Sequence, residues 1–206
     1  MNNQFKIIFL AIYLIVFGNL KVLADEDDNF IVSHWNEEEE SGAVRWFLES
    51  STGFKFEIVQ RHPDQSVAFY TARGFSENII KHYANTCIFH TSLFNNSDDK
   101  NFDIDLMEWG ILKNNDSKKQ IRLLSTDYWL DQWNKYNVSK PAQIAFKFSQ
   151  LPTVQHPSSG DWFQGMISMP LSQSDAFNLE IVWQEDNVKR QVVLENLHCN
   201  TSNVEP

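Results

Sequence analysis

The chain has 206 residues, with 17 basic and 27 acidic side chains and a formal net charge of −10. This excess of carboxylates argues against nucleic acid or an anionic lipid surface as a partner, because both are bound by clustered Lys and Arg. The length suits a single domain that is large enough to bury a core of its own.

Residues 1–24 have the pattern of a secretory signal peptide. Lys6 precedes an unbroken apolar run of eleven residues from Ile7 to Phe17, and the segment ends in Val22-Leu23-Ala24. Such a run is too short to cross about 30 Å of hydrocarbon, and we expect cleavage after Ala24. The alternative is an uncleaved signal that acts as an anchor. We therefore predict a periplasmic or extracellular protein without a stable membrane span after cleavage.

Residues 25–42 form an acidic arm. Eight carboxylates fall between Asp25 and Glu40 without a single Lys or Arg. Like charges at this density repel each other, so we expect a mobile or loosely docked segment that is solvated rather than cation-binding. Cleavage after Ala24 would also remove Lys6 and Lys21, which leaves 15 basic against 27 acidic side chains and a charge of −12. Residues 43–206 are then predicted to form one domain.

From residue 43 onward, apolar residues alternate with polar ones, which is typical of strands with one buried face. The clearest alternating runs are 54–58, 102–106, 144–148 and 177–183. Further strands are predicted at 44–49, 67–72, 87–94, 120–124, 162–169 and 189–197. Asp186-Asn187 tolerates turn geometry and predicts a hairpin over 177–197. About ten short strands in one domain predict a mainly β fold, an antiparallel immunoglobulin-like β-sandwich.

Two short helical insertions are predicted to interrupt the strands. The first begins after Ser76, pairs Glu77 with Lys81, and carries an apolar face that includes Ile80 and Tyr83. The second begins at Ser125 or Thr126 and covers residues 126–137.

The aromatic residues of the second insertion have two interpretations. Trp129, Trp133 and Tyr136 recur at helical spacing, and Tyr128 and Trp162 are added as neighbours. In the first interpretation these five rings form a surface that stacks on a ligand or a partner protein. In the second they are buried, because a helix that lies on a sheet has to bury one stripe of side chains.

The two cysteines, Cys87 and Cys199, each have a histidine within three positions, His90 and His198. In a strand, residues one or three apart point to opposite faces, so neither pair can bind one metal ion without a bulge. An even number of cysteines behind a signal peptide instead predicts a disulfide.

A copper or zinc site is the alternative use of these residues. If the two cysteine strands lie side by side in one sheet, His90 and His198 share its outer face and could hold an ion; if the bond joins two sheets, they do not. Met166 and Met169 carry the thioethers that copper(I) prefers. In a strand, however, they point to opposite faces and are simpler to explain as core residues. No cofactor is assigned.

Motifs of catalysis are absent from the sequence. It contains no Gly-x-Ser-x-Gly elbow, no His-Glu-x-x-His and no glycine-rich phosphate loop, and paired cysteines leave no thiol nucleophile. We predict a secreted or periplasmic non-catalytic binding or accessory domain that acts on a protein or small ligand through a sandwich face or the aromatic insertion. The alternatives are a copper- or zinc-handling protein and a hydrolase whose site is scattered over loops.

Overall fold

The computed structural model describes residues 30–37, 43–113, 116–172 and 175–199. The predicted signal peptide, residues 1–24, lies outside these ranges, as does most of the acidic arm. Phe30–Glu37 of the arm forms a strand, β1. The stretch from Phe30 to Asn36 contains no carboxylate, so the charge repulsion expected of the arm is weakest where the strand forms.

Strands dominate the described part of the chain. They are β1 (Phe30–Glu37), β2 (Ala43–Ser50), β3 (Phe54–Gln60), β4 (Cys87–Asn95), β5 (Phe102–Asp105), β6 (Gly110–Lys113), β7 (Asp116–Ile121), β8 (Val154–Gln155), β9 (Trp162–Met169), β10 (Ala176–Glu185) and β11 (Val188–His198). The helices are α1 (Pro63–Thr71), α2 (Glu77–Ala84), α3 (Thr126–Lys135) and α4 (Lys140–Ser149), with a short 3-10 helix at Leu106–Glu108.

The strands form two antiparallel sheets. The five-stranded sheet has the order β1-β2-β3-β4-β9, and the six-stranded sheet has the order β7-β6-β10-β5-β8, with β11 paired to β10. The prediction of a mainly β, antiparallel fold is confirmed. The immunoglobulin-like β-sandwich stays a prediction. The strands β1 to β4 follow each other in chain order, whereas immunoglobulin strands are interleaved in their sheets.

The buried faces of the two sheets share one hydrophobic core. Phe54 stacks on Trp183 with ring centroids 4.6 Å apart, and Phe89 contacts the ring of Phe177. The buried indole of Trp109 donates a hydrogen bond to the Val182 carbonyl at 2.9 Å. The two ring contacts cross from one sheet to the other, and the Trp109 hydrogen bond holds its indole on the six-stranded sheet; all three bury aromatic residues between the sheets.

The four helices pack on the other side of the five-stranded sheet. A second buried cluster, which we call the helical cluster, joins Ile88 of β4 to aromatic and aliphatic side chains of the helices and of the turn after α1: Tyr70, Phe75, Ile80, Tyr83, Trp129, Trp133, Ala142 and Phe146. Because Ile88 and Phe89 are consecutive in a strand, they point into the two different clusters. The five-stranded sheet is therefore covered at β4 and β9 by helices on one side and by the other sheet on the opposite side.

Two predicted strands are helices. Residues 67–72 lie almost entirely within α1, and residues 144–148 lie within α4. The part of the chain that the structure describes therefore has four α-helices, where two were predicted. In α4, Phe146 is buried, whereas Ile144 and Phe148 are exposed. On the helix, Phe146 points inward and the other two residues point outward. Over only five residues, this pattern cannot be distinguished from the alternation of a strand.

The predicted hairpin and disulfide are confirmed. Asp186 and Asn187 both have positive φ, as the central residues of a type I′ turn require, and connect β10 to β11. Cys87 and Cys199 form a disulfide with Cα atoms 5.3 Å apart. Cys87 begins β4 and Cys199 follows β11, so the bond joins the two sheets. Disulfides persist in oxidising compartments, which is consistent with export.

None of the helices in the described ranges has the length and apolar character that crossing a membrane requires.

Candidate functional site

The two tryptophans of the predicted aromatic surface belong to the core. Trp129 is 3% exposed and Trp133 is fully buried, and their rings stack on each other at 5.2 Å. The Trp129 indole donates a hydrogen bond to the Ser168 hydroxyl at 2.8 Å. The predicted cap is also present, since the Ser125 hydroxyl accepts from the amide of Tyr128. Both tryptophans are therefore buried, as in the second of the two interpretations of the aromatic insertion.

The other three aromatic residues of that prediction are exposed but separate. Tyr136 stacks on His82 at 4.9 Å, and Tyr128 contacts the edge of Trp129. Trp162 is 56% exposed and stacks on Phe94 of the neighbouring strand. Of the five predicted side chains, only Trp162 lines one of the two grooves described next.

The first groove, which we call the Arg61 groove, has a volume of about 500 Å³. It lies where α1, β4, β9 and the end of α4 meet. Arg61 and His90 line it together with three side chains of α1, two of α4 and three residues of β9: Gln65, Ser66, Phe69, Phe148, Ser149 and 164–166.

The second groove, which we call the Trp162 groove, has a volume of about 490 Å³. It is lined by the start of α3, the end of α4 and the start of β9, with Asp127, Lys147, Phe148, Pro152, Trp162 and Gln164 among its residues. Phe148 and Gln164 line both grooves. Phe148 therefore stands between two adjoining cavities.

Phe148 is 83% exposed, and Ile144, one helical turn earlier on α4, is 55% exposed. Single exposed apolar residues are common on protein surfaces. Here, however, the exposed Phe148 and the exposed Trp162 line the same groove. Two exposed aromatic side chains that line one groove are typical of a binding site.

A buried hydrogen-bond network fixes the end of α4 beneath Phe148. The Tyr70 hydroxyl lies 2.7 Å from the Ser149 hydroxyl, and the Gln150 amide donates to Tyr70 at 2.7 Å and accepts from Tyr83 at 3.2 Å. Burial raises the pKa of Tyr70 and raises that of Tyr83 well above its usual range. Both phenols are therefore neutral, and the network holds the groove in shape rather than supplying a base.

Gly165 allows the chain segment after α4 to pass close to β9. A Cβ atom at this position would overlap the backbone of Gln150 and Leu151. The Leu151 amide donates to the Met166 carbonyl at 3.0 Å across this contact. Glycine is therefore required here to bring α4, and with it Phe148, onto β9.

Of the four predicted metal-site residues, the structure brings together His90 and Met166 but not His198 and Met169. His90 lines the Arg61 groove opposite Met166, its partner in the β4–β9 ladder. His198 ends β11 in the other sheet, where its ring contacts Trp46, and Met169 is buried in the core between the sheets. Within the described ranges, no three His, Cys, Asp or Glu side chains are placed to hold a metal ion. The disulfide joins the two sheets. For this arrangement, we do not expect His90 and His198 to share a metal ion.

The imidazole of His90 is half-buried, and its burial and the nearby charge of Arg61 both lower its pKa below the ordinary value of 6.5. The ring is therefore neutral at neutral pH and offers one donor and one acceptor nitrogen. No hydrogen bond joins it to a hydroxyl group in the described part of the chain, so the groove does not show the nucleophile–base pair that a hydrolase of the serine type needs.

We expect His90 to make the fold less stable in acid. Because its pKa is lower in the folded state, the unfolded chain binds a proton that the folded chain does not, so the free energy of unfolding falls as the pH drops below 6.5 and is unaffected by His90 above it. Urea denaturation between about pH 7.5 and about pH 5 measures this slope. His90→Gln should flatten it. His82→Gln, at an exposed histidine of α2, is the control for removal of a histidine as such. Equal slopes for His90→Gln and the parent protein would contradict the assignment.

Comparison with protein-family models, with curated proteins and with solved structures finds no match for this chain.

Proposed function

We propose that the protein is a non-catalytic binding or accessory domain that acts in the periplasm or outside the cell, and that it binds its partner in the two grooves that share Phe148. The signal-peptide pattern and the disulfide support the location. The site rests on one observation: Phe148 is 83% exposed, more than any other large apolar side chain in residues 44–113, 120–172 and 175–199, and it stands between two cavities.

The surroundings of Phe148 support a role in ligand binding, because the backbone that carries the exposed ring is fixed. Phe146 is buried in the helical cluster, and Ser149 and Gln150 are hydrogen-bonded to Tyr70, so the backbone that carries Phe148 is held on both sides. Because this backbone is held, a ligand that covers the Phe148 ring has to order only its two side-chain torsions, which costs little conformational entropy. Each groove also has a volume within the range of small-molecule sites, about 300–1,000 Å³.

The copper or zinc hypothesis and the hydrolase hypothesis are less well supported. His90 and Met166 are neighbours, but they are only two potential ligands, and a stable site for either metal needs more. His90 has no hydroxyl partner in the described residues. Both hypotheses stay predictions from the sequence.

A neutral aromatic probe tests the proposed site. We expect phenylbutanamide, titrated into isotope-labelled, disulfide-bonded protein, to shift the NMR signals of Phe148, Gln164 and their neighbours in a saturable way. Phe148→Ser should weaken this binding about tenfold, a typical effect for an aromatic anchor, while the free energy of unfolding stays within about 0.5 kcal/mol of the parent value.

The control is Val188→Ser, which removes an apolar side chain that is 50% exposed at the β10–β11 turn. It should leave the affinity unchanged. Shifts scattered over the surface, or equal binding by Phe148→Ser and the parent protein, would show that the grooves are not the binding site.

A further inference from the structure

We propose that the Trp162 groove binds a neutral oligosaccharide of equatorially substituted pyranose rings, with one sugar ring lying flat on Trp162 and its hydroxyl groups hydrogen-bonded to the polar side chains of the groove. This inference rests on the proposed function and names the chemical class of the ligand in one of its two grooves.

The indole ring of Trp162 is the first reason. It is 56% exposed, although Trp162 lies in a strand that is paired along its whole length with β4. The ring lies nearly parallel to that of Phe94, its partner across the ladder, with an interplanar angle of 18° and ring centroids 6.3 Å apart. The strand pairing and the neighbouring ring therefore orient the indole before a ligand arrives, which lowers the entropic cost of binding.

A pyranose ring fits such an exposed aromatic ring. When its hydroxyl groups are equatorial, the C–H bonds of the sugar ring point to either side and form two flat apolar faces. The face of an aromatic ring carries negative charge density and attracts weakly positive hydrogen atoms. Phe148, which is 83% exposed and lines the same groove, adds a second aromatic side chain to this contact.

The polar side chains of the groove are the second reason. They supply two hydroxyl groups, an amide, a carboxylate and an ammonium group, which belong to Thr126, Thr153, Gln164, Asp127 and Lys147. A carboxylate only accepts hydrogen bonds and an ammonium group only donates them, whereas hydroxyl groups and amides do both. Each hydroxyl group of a sugar can donate and accept at once. A ligand with many hydroxyl groups can therefore use the whole mixture.

The two charged side chains favour a neutral ligand. Asp127 and Lys147 are both exposed and line the same groove. An anion that approaches Lys147 is repelled by the carboxylate of Asp127, and a cation that approaches Asp127 is repelled by Lys147. A neutral polar ligand can form hydrogen bonds with both side chains without this penalty.

The same side chains disfavour an entirely apolar ligand. Covering Asp127, Lys147 and Gln164 without replacing the water that they bind costs free energy. Two exposed aromatic rings with hydrogen-bonding groups around them therefore match a molecule that has flat apolar faces and a polar circumference. Carbohydrates combine these two properties.

Two neutral trisaccharides with β-1,4 linkages, cellotriose and tri-N-acetylchitotriose, test the inference. We expect at least one of them to shift the NMR signals of the Trp162 indole and of Gln164 in the disulfide-bonded protein in a saturable way. Sorbitol, an open-chain polyol without a flat face, should produce no saturable shift. Because the ligand carries no charge, its dissociation constant should change by less than about twofold between low and high salt.

Substitutions in the groove test the two kinds of contact separately. Trp162→Ala should weaken trisaccharide binding about tenfold, and Trp162→Phe, which keeps a smaller flat ring, should retain part of the affinity. Asp127→Ala should also weaken binding about tenfold, because it removes a charged hydrogen-bond acceptor. The control is Tyr136→Ala, which removes a ring that is 40% exposed and stacks on His82; it should leave the affinity unchanged.

The outcomes separate the two proposals. If phenylbutanamide binds and neither trisaccharide does, the carbohydrate inference is overturned and the proposed binding site stays in place. The same conclusion follows if sorbitol shifts the same signals as strongly as the trisaccharides, or if Trp162→Ala binds them as tightly as the parent protein. The comparison with sorbitol in the parent protein decides this even if a Trp162 variant fails to fold. Failure of phenylbutanamide and of both trisaccharides to bind overturns both proposals.

Discussion

Replacing Cys87 and Cys199 together by alanine is expected to lower the free energy of unfolding by about 4–5 kcal/mol. The disulfide joins residues 112 positions apart, and in the entropic description the stabilisation grows with the length of the closed loop, because the cross-link restricts the unfolded chain more strongly. Both cysteines are buried, so alanine leaves no unpaired polar group behind. Urea denaturation of the parent and the double variant measures the difference.

The matched control is the parent protein denatured in the presence of a reductant, which should have the same midpoint as the double variant. Titration with a thiol reagent in denaturant without reductant should find no free sulfhydryl. A loss of stability below about 1 kcal/mol would contradict the expected contribution, and two free sulfhydryls would contradict the pairing itself.

Trp133→Ala is expected to cost about 3–5 kcal/mol of unfolding free energy, as truncation of a buried aromatic residue does. Trp133 is fully buried, stacks on Trp129, and contacts Phe75 and Phe146 with ring centroids 5.2 and 5.3 Å away. Its removal opens a cavity in the helical cluster. The cavity can close only if the helices around it move closer to each other. Chemical denaturation followed by far-ultraviolet circular dichroism measures the change.

Phe148→Ala is the control for the loss of an aromatic ring on the same helical side of the protein. Because that ring is 83% exposed, its truncation should change stability by less than about 0.5 kcal/mol. Similar losses for the two variants would show that the assignment of Trp133 to the core and Phe148 to the surface is wrong.

The strands that could be predicted from the sequence are those with one fully buried face. In β3, Phe54, Phe56 and Ile58 are buried, and the alternation in the sequence follows directly from that burial. The β10–β11 hairpin could be predicted because Asp186 and Asn187 are among the few residues that adopt the positive φ its turn needs. Local chemistry decides both features.

The helix α4 could not be predicted from the spacing of its apolar residues. In our proposal, one of these residues is apolar because it is buried, and Phe148 is apolar because it binds a ligand. Ile144 and Phe148 lie on the exposed side of the helix, where folding alone would favour polar residues. A start signal was nevertheless present. Ser139 is the N-cap and Pro141 lies in the first turn, a combination that is frequent at the beginning of helices.

The candidate site could be predicted only in part, because it depends on contacts between distant segments. Trp162 was among the predicted surface residues. Arg61, Phe69 and Phe148 were not, since nothing in the sequence indicates that α1, β4, β9 and α4 meet at one place. Their signal is weak even in retrospect: an arginine after a strand and an exposed phenylalanine become informative only once they line the same cavity.

The position of the disulfide divides the molecule into a covalently closed ring, residues 87–199, and a preceding part that is attached to it at one point only. Helices α1 and α2 belong to the preceding part, and α3 and α4 belong to the ring. A single proteolytic nick in the loop at 96–101 therefore leaves one covalent molecule. A nick at 72–75, between α1 and α2, leaves a fragment that carries Arg61 and Phe69 and is retained only by noncovalent contacts, among them the hydrogen bonds between β3 and β4.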